Sequence, residues 1–241
     1  MTRIGLEKKV LSENDQIAAR LRESFGQHGT FAVNLISSPG SGKTSLLEKT
    51  LAMLPHEINQ DMRAAVLTGD IQTDNDARRL GRYGYPVRQI TTAGACHLDA
   101  RMVESHLEEC LTDRVNERLD ILFIENVGNL VCPTSYDLGE DAKVVVLSVT
   151  EGEDKPLKYP GIFRKAELMI VNKIDLLPYV PFDPRLAIAN ARQIHPGIEV
   201  IETSCTTGAG LSRWLAWLSG RAASKRAAIE AQEANHALIG Q

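Results

Sequence analysis

Residues 31–47 read FAVNLISSPGSGKTSLL. The first half is an apolar run broken only by an asparagine, the pattern of a strand covered on both faces. The second half turns on Pro39, Gly40 and Gly42 and then enters a helix-forming stretch at Lys43. Gly40, Gly42, Lys43 and Thr44 complete a G-x-x-x-x-G-K-S/T phosphate loop, in which successive backbone N–H groups and a helix N-terminus face a phosphate. The motif places Lys43 at the β and γ phosphates and Thr44 on Mg²⁺, with Gly40, Ser41, Gly42 and Ser45 lining the cradle. Ser37 stands where the first glycine is usual, which alters the spelling of the motif but not its strand–turn–helix context.

Outward from this loop, six more apolar runs bounded by turn residues read as strands: 64–70, 87–92, 121–128, 143–149, 168–175 and 198–204. Helix-period stretches fall between them, near 43–53, 74–83, 98–117, 183–193 and 209–219. This alternation predicts an α/β fold with a doubly wound, mostly parallel sheet of about seven strands, a P-loop NTPase whose ligands lie beyond the carboxyl ends of the strands. Residues 28–220 form that domain. Residues 1–27 are an N-terminal segment and 221–241 a C-terminal tail, either a solvated helix or frayed. Ser12 and Asp15 resemble a capping box before Ile17, Leu21 and Phe25, which predicts an amphipathic helix starting there. Ile4, Leu6, Val10 and Leu11 precede it with no evident strand or helix to join.

With 241 residues and 43% apolar composition, a sizeable core is expected. A formal charge of -4 gives no electrostatic footprint for nucleic acid or an anionic membrane. The opening residues have no apolar stretch of signal-peptide length and no window approaches a membrane span, so a cytoplasmic protein is expected. Four cysteines, at 96, 110, 132 and 205, are too few for a disulfide scaffold of this size and read as reduced thiols.

The base-recognition signal is NKID, 172–175. Asp175 can accept two hydrogen bonds from guanine N1–H and the 2-amino group, whereas adenine offers no amine there. Lys173 would lie across the purine face and Asn172 would tie the surrounding loops together. Ser204 and Cys205, in TSCTTGAGL, fall where the guanine-contacting loop is expected. The nucleotide is therefore read as GTP. For the metal and the γ-phosphate, Asp70 follows a strand, Asp76 falls in the first turn of the next helix behind Asp74 as N-cap, and Glu125 opens ENVGN. Mg²⁺ prefers oxygen ligands, so Thr44, Asp70 and Glu125, directly or through water, form its candidate set. Lys43, Asp70, Asp76 and Glu125 are the candidate catalytic residues.

Cys96 and His97 stand side by side in TTAGACHLDA. By residue type they read as a metal pair, as buried small thiol and imidazole, or as a nucleophile and base, the last disfavoured because adjacent residues rarely align for catalysis. Neighbours on a regular helix point about 100° apart, so joint ligation needs irregular backbone, and Gly94 before a helical pattern supplies it. A helix N-terminus there would lower the thiol pKa. Cys132 follows the next strand. His106 and Cys110, at i and i+4, have metal-pair spacing but read as surface or core residues.

With SSPGSGKT, TGDIQTDND, AGACH, ENVGNLVCP and NKID in this order, the chain resembles the HypB family over residues 12–219. These are GTPases that assist nickel insertion into NiFe hydrogenase. The resemblance implies GTP hydrolysis, a homodimer when GTP-bound, and a Ni²⁺ or Zn²⁺ site at Cys96, His97 and Cys132 near the subunit interface; turnover is expected to be slow, because no arginine finger is identifiable. It further implies docking of a HypA-type nickel chaperone on the N-terminal segment, with Ile4, Leu6, Val10 and Leu11 as the strip, and the hydrogenase large subunit as indirect client. Some relatives of the wider class carry a lysine where this chain has Ser38, so lysine assistance in trans is not expected. A cysteine-rich or histidine-rich N-terminal run, found in some members, does not occur, and a tight N-terminal nickel site is not expected. The alternatives are a urease-accessory GTPase, for which Cys-Pro-His rather than Cys-His would be usual, and a signalling GTPase without metal.

Overall fold

The computed structural model describes residues 3–57, 62–70, 75–92, 94–111 and 119–239, with side chains described over 9–107 and 119–232 within those ranges. Among the described residues the chain order is α1 (Arg3–His28), β1 (Phe31–Ser37), α2 (Lys43–Glu57), β2 (Ala64–Asp70), α3 (Asn75–Leu80), β3 (Val87–Thr91), α4 (Ala100–Leu111) and β4 (Ile121–Glu125). It continues with β5 (Ala142–Ser148), α5 (Lys155–Lys158), α6 (Pro160–Lys165), β6 (Leu168–Asn172), α7 (Pro184–Ile194), β7 (Glu199–Thr203) and α8 (Leu211–Ile239). The seven strands form one sheet in the order β3-β2-β4-β1-β5-β6-β7. Every pairing is parallel. All seven carboxyl ends therefore lie on one edge, and the phosphate loop leaves it from the central strand, where the connections switch direction.

Alternate residues of a strand face opposite sides, and β1 divides accordingly. Phe31, Val33 and Leu35 pack under α2 and α8, with Leu46, Leu47, Leu51, Trp214 and Leu218. On the other face Ala32 joins α1 and α4 through Ile17, Leu21, Phe25 and Val103. Ile36 joins α6 and α7 through Phe163, Ala187 and Ala191. Burying each such leucine or phenylalanine contributes roughly 1.5–3 kcal/mol. Trp214 is fully buried and satisfies its indole N–H on Thr50 Oγ1 at 2.8 Å. The polar nitrogen thus costs the core nothing.

Two expectations are corrected at the ends. The N-terminal helix does not start at Ser12: α1 is continuous from Arg3, so Ser12 and Asp15 form no capping box, and Ile4, Leu6, Val10 and Leu11 belong to that helix. Packing of the Ile17, Leu21 and Phe25 face overrides the local capping signal. Asn14 replaces it as an anchor: its amide donates to Asp137 O at 2.9 Å and accepts from Ala100 N at 2.8 Å. At the other end α8 runs straight through residue 220 to Ile239. Ala222 is buried, Lys225 pairs with Asp141 at 2.6 Å, and Arg226 pairs with Asp120. The solvated-helix alternative is therefore right in kind, since most described side chains of 221–232 are exposed, and is corrected only in that Ala222, Lys225 and Arg226 anchor the helix to the domain. The far end of the helix expected over 98–117 and the proposed N-cap Asp74 lie outside the described residues.

Candidate functional site

The phosphate loop closes over a cleft of about 480 Å³ lined by Gly40, Gly42, Lys43, Thr44 and Ser45 on one side and by Asp70, Asp76, Arg79 and Glu125 to Gly128 on the other, with Lys173 at its mouth. Gly40 and Gly42 hold φ of +75° and +100°. At Gly42 glycine is required twice, because a Cβ would also lie 2.5 Å from Asn172 Nδ2. That amide donates to Ser41 O at 2.9 Å, while Asn172 Oδ1 accepts from Thr203 Oγ1 at 3.1 Å and faces Cys205 Sγ at 3.6 Å. Asn172 thus joins the phosphate loop to the segment after β7. Lys173 leaves β6 with φ of +65° and donates to Gly40 O at 2.6 Å, crossing the loop. Asp175 accepts from Ser204 Oγ at 2.5 Å. The expected base-binding residues Asn172, Lys173, Asp175, Ser204 and Cys205 therefore sit together beside the loop.

Lys43 is buried, and its ammonium donates to Ser37 Oγ at 2.8 Å. The serine that departs from the usual glycine thus holds the lysine expected at the phosphates. Burial lowers the Lys43 pKa, opposed by Glu125, Asp76 and Glu151. Thr44 Oγ1 donates to Glu125 Oε1 at 2.7 Å, and Glu125 Oε2 is buried with no hydrogen-bond partner. Burial pushes the Glu125 carboxyl from 4.5 up to about 7, against the pull of Lys43 and Thr44. A desolvated, half-partnered carboxylate beside a threonine hydroxyl fits a hard cation, since Mg²⁺ supplies both charge and coordination. Asp70 and Asp76 face the same cleft, and Asp76 also receives Arg79 Nη1 at 3.3 Å.

The metal-type residues also meet. Cys96, His97 and Cys132 place their ligand atoms within 4.8 Å of one another. Cys96 Sγ is 2.7 Å from Cys132 Sγ and 3.9 Å from His97 Nδ1. Bonds of about 2.3 Å to one tetrahedral metal set two sulfurs about 3.8 Å apart. The pair would open by about 1 Å around an ion of that geometry. The helix that was expected to lower the thiol pKa begins only at Ala100, one turn too far, and Cys96 is instead raised by its hydrogen bond with Cys132 and then by burial. Burial lowers the His97 pKa, keeping the imidazole neutral and available as a ligand. His106 Nδ1 faces Met102 O of its own helix at 2.8 Å, and the Cys110 side chain lies outside the described residues.

Several neighbours of the site carried no signal in the sequence. Glu151, after β5, accepts from Ser41 Oγ at 2.7 Å and from Ser148 N at 3.0 Å, holding the phosphate loop from outside. Arg79 lines the cleft but is held in a fork by Glu48 at 2.6 and 3.2 Å. Tyr136 stacks on His97 with ring centroids 3.9 Å apart and an interplanar angle of 26°. Each role arises from a contact between distant segments, which residue type alone does not announce.

Comparison with known proteins agrees with this geometry. The CobW/HypB/UreG nucleotide-binding domain family matches residues 31–202. The hydrogenase maturation factor HypB of Azotobacter chroococcum is 49% identical over 234 residues, covering 96% of this chain and 73% of the relative. That of Escherichia coli K12 is 51% identical over 215 residues, covering 89% and 71% respectively. The crystal structure of HypB from Helicobacter pylori in complex with nickel superposes with a TM-score of 0.81 at 38% identity, covering 88% of this chain and 96% of the other. A seven-stranded parallel sheet around a phosphate loop, with this identity along most of its length, makes the chain a member of the CobW/HypB/UreG family of P-loop GTPases and, within it, of the HypB hydrogenase maturation factors.

Proposed function

We propose that the protein is a GTP-hydrolysing metallochaperone that binds nickel, and also zinc, at Cys96, His97 and Cys132 and assists nickel insertion into NiFe hydrogenase. The observation that carries this reading is the convergence of two thiols and an imidazole at the sheet edge that also carries the phosphate loop. Thiolate with imidazole suits both metals, and the nickel complex of the H. pylori relative favours nickel as cargo.

GTP enters with its phosphates over Gly40 to Ser45 and its base against Asn172, Lys173, Asp175, Ser204 and Cys205. Lys43 leaves Ser37 for the β and γ oxygens. Thr44, Asp70 and Glu125 would hold Mg²⁺, which neutralises charge on the phosphates. Asp76 faces the γ-phosphate and positions water there. Turnover is slow because Arg79, the arginine on the cleft wall, is committed to Glu48 and because no second arginine lines the cleft among the described residues.

GTP favours a homodimer across the nucleotide face, where Val131, 59% exposed beside Cys132, offers apolar surface. One subunit supplies three ligands, so water or the same residues of a second copy complete the shell. Residues 28–220 carry both sites, and residues 1–27 dock a HypA-type nickel chaperone, with the hydrogenase large subunit served indirectly. Free thiols at the site fit a cytoplasmic setting, and no helix among the described residues is long and apolar enough to cross a membrane.

Anaerobic Ni²⁺ and Zn²⁺ titration of wild type beside Cys96→Ala and Cys132→Ala tests the metal reading; unchanged stoichiometry in both variants would sink it. Size exclusion with GDP and with a nonhydrolysable GTP analogue tests the dimer, which identical elution would remove.

A further inference from the structure

The segment that follows Glu125 touches both sites at once. On one side Glu125, Asn126, Val127 and Gly128 line the phosphate cleft. Gly128 presses on the phosphate loop so closely that a Cβ would stand 3.0 Å from Pro39 Cα and 3.1 Å from Pro39 N. On the other side the same segment holds the metal-ligand loop by its backbone. Asn126 Oδ1 accepts from Leu98 N at 3.2 Å, and Asn129 Nδ2 donates to Cys96 O at 3.1 Å. Three residues after Asn129 the segment supplies Cys132 itself.

These contacts are specific in direction. Asn126 is buried and also accepts from Val127 N at 3.0 Å while donating to Asn34 Oδ1 at 3.3 Å, so its amide is fixed at both ends. Asn129 Oδ1 accepts from Val131 N at 2.8 Å, which orients its amino group towards Cys96. The metal-ligand loop has a second support at β2: Thr92 N donates to Asp70 O at 3.0 Å, and a Cβ at Gly69 would lie 2.8 Å from Leu98 Cδ2. A shift of residues 126–129 therefore acts on Cys132 through the chain and on the Cys96 backbone through Asn129, while the β2 contacts resist it on the Cys96 side.

We infer that Asn129 is the positioning residue that transmits the nucleotide state to the metal site, by tying the Cys96 carbonyl to the loop that lines the γ-phosphate end of the cleft, with Asn126 as its buried partner. This rests on the proposed GTP-controlled metal site and names the contact through which that control acts. Coupling between two ligands requires a physical element with two arrangements that both ligands bias. Residues 126–131 are that element, since they lie between the sites and bear on both.

The test uses the full chain and its Asn129→Ala and Asn129→Asp variants, titrated anaerobically with Ni²⁺ in Mg²⁺–GDP and in a Mg²⁺-bound nonhydrolysable GTP analogue. Asn129→Asp keeps the acceptor for Val131 N but loses the donor to Cys96 O, so a role confined to the local turn would leave it like wild type. In wild type the two Ni²⁺ dissociation constants should differ by roughly 5-fold or more, the lower end of ordinary coupling. In both variants the ratio should fall to within about twofold of one, with Ni²⁺ stoichiometry and affinity for the GTP analogue kept. Co²⁺ gives a second readout: its thiolate charge-transfer bands should change between nucleotide states in wild type and not in the variants. A wild-type ratio retained in both variants overturns the role of Asn129. Equal affinities in the two nucleotide states of wild type overturn the underlying reading, and the role with it.

Discussion

Thr44 Oγ1 and Glu125 Oε1 are joined by a 2.7 Å hydrogen bond across the phosphate cleft, linking the first turn of α2 to the end of β4. The second carboxylate oxygen of Glu125 is buried without a partner. The two residues therefore hold an oxygen pair in the place where Mg²⁺ would stand, and removing the carboxylate should affect hydrolysis more than binding. Glu125→Gln should lower kcat for Mg²⁺-dependent GTP hydrolysis by about 10²-fold, the usual effect of losing one oriented electrostatic group. Single-turnover hydrolysis beside GTP-analogue binding checks this, and an unchanged rate would remove Glu125 from the site.

The same carboxyl makes stability depend on pH. Its pKa in the folded chain is raised from 4.5 to about 7 by burial, so between those values the folded state holds a proton that the unfolded chain has released. Stability from this group is complete below pH 4.5 and is lost as pH rises to about 7. Urea unfolding of the nucleotide-free protein in chelator should show a declining contribution across that window. Glu125→Gln should flatten it; an identical slope in the variant would count against the shifted carboxyl.

Asp175 is already oriented in the free protein by Ser204 Oγ at 2.5 Å. Asp175→Asn reverses the donor pattern presented to the base, disfavouring the guanine amine and favouring the xanthine carbonyl. The GTP-to-XTP preference should shift by roughly 10⁴, as expected where a site built to pair a donor meets a base lacking it. Competition binding with the two triphosphates measures it, and retained GTP selectivity would place the base elsewhere.

The sheet was legible because its strands are buried on both faces, and continuous apolar runs have few other homes. The runs misled only at their ends, where NVG after Glu125 and KID after Asn172 continue a strand in composition but not in backbone. At Asn172 the chain leaves the ladder through the left-handed Lys173, and after Glu125 it becomes the loop that grips Cys96. The ligand types Cys96, His97 and Cys132 could be picked out by chemistry and resemblance, but Asn126, Asn129, Tyr136 and Glu151 act through contacts between segments 28 to 110 residues apart. Composition has no means of reporting those. The start of α1 differs from its local signal for a related reason: Ser12 and Asp15 look like a cap locally, whereas packing of Ile17, Leu21 and Phe25 decides the helix.

Docking of the nickel chaperone is expected ahead of the packed part of α1: Val10 is 45% exposed, and among the described side chains burial starts at Asn14 and Ile17. Deleting residues 1–11 should therefore abolish the complex while leaving GTP hydrolysis intact. Pull-down with the purified HypA-type partner, alongside phosphate release, separates the two effects, and an undiminished complex would put the docking site elsewhere.

Tyr136 covers one face of the His97 ring, which restricts the imidazole to the orientation in which Nδ1 faces Cys96 Sγ. An unsupported imidazole would sample other rotamers, and ligation would have to restrict them again. Partners that orient a ligand in this way typically account for 10–100-fold in metal affinity, so Tyr136→Ala should weaken Ni²⁺ binding by about 10-fold. Tyr136→Phe keeps the stack and should bind as wild type. This split separates stacking from any role of the phenol hydroxyl: weakening in both variants would assign the effect to the hydroxyl, and no weakening in Tyr136→Ala would remove Tyr136 from the metal site. Circular dichroism and GTP-analogue affinity, both expected to be unchanged, guard against a general loss of structure.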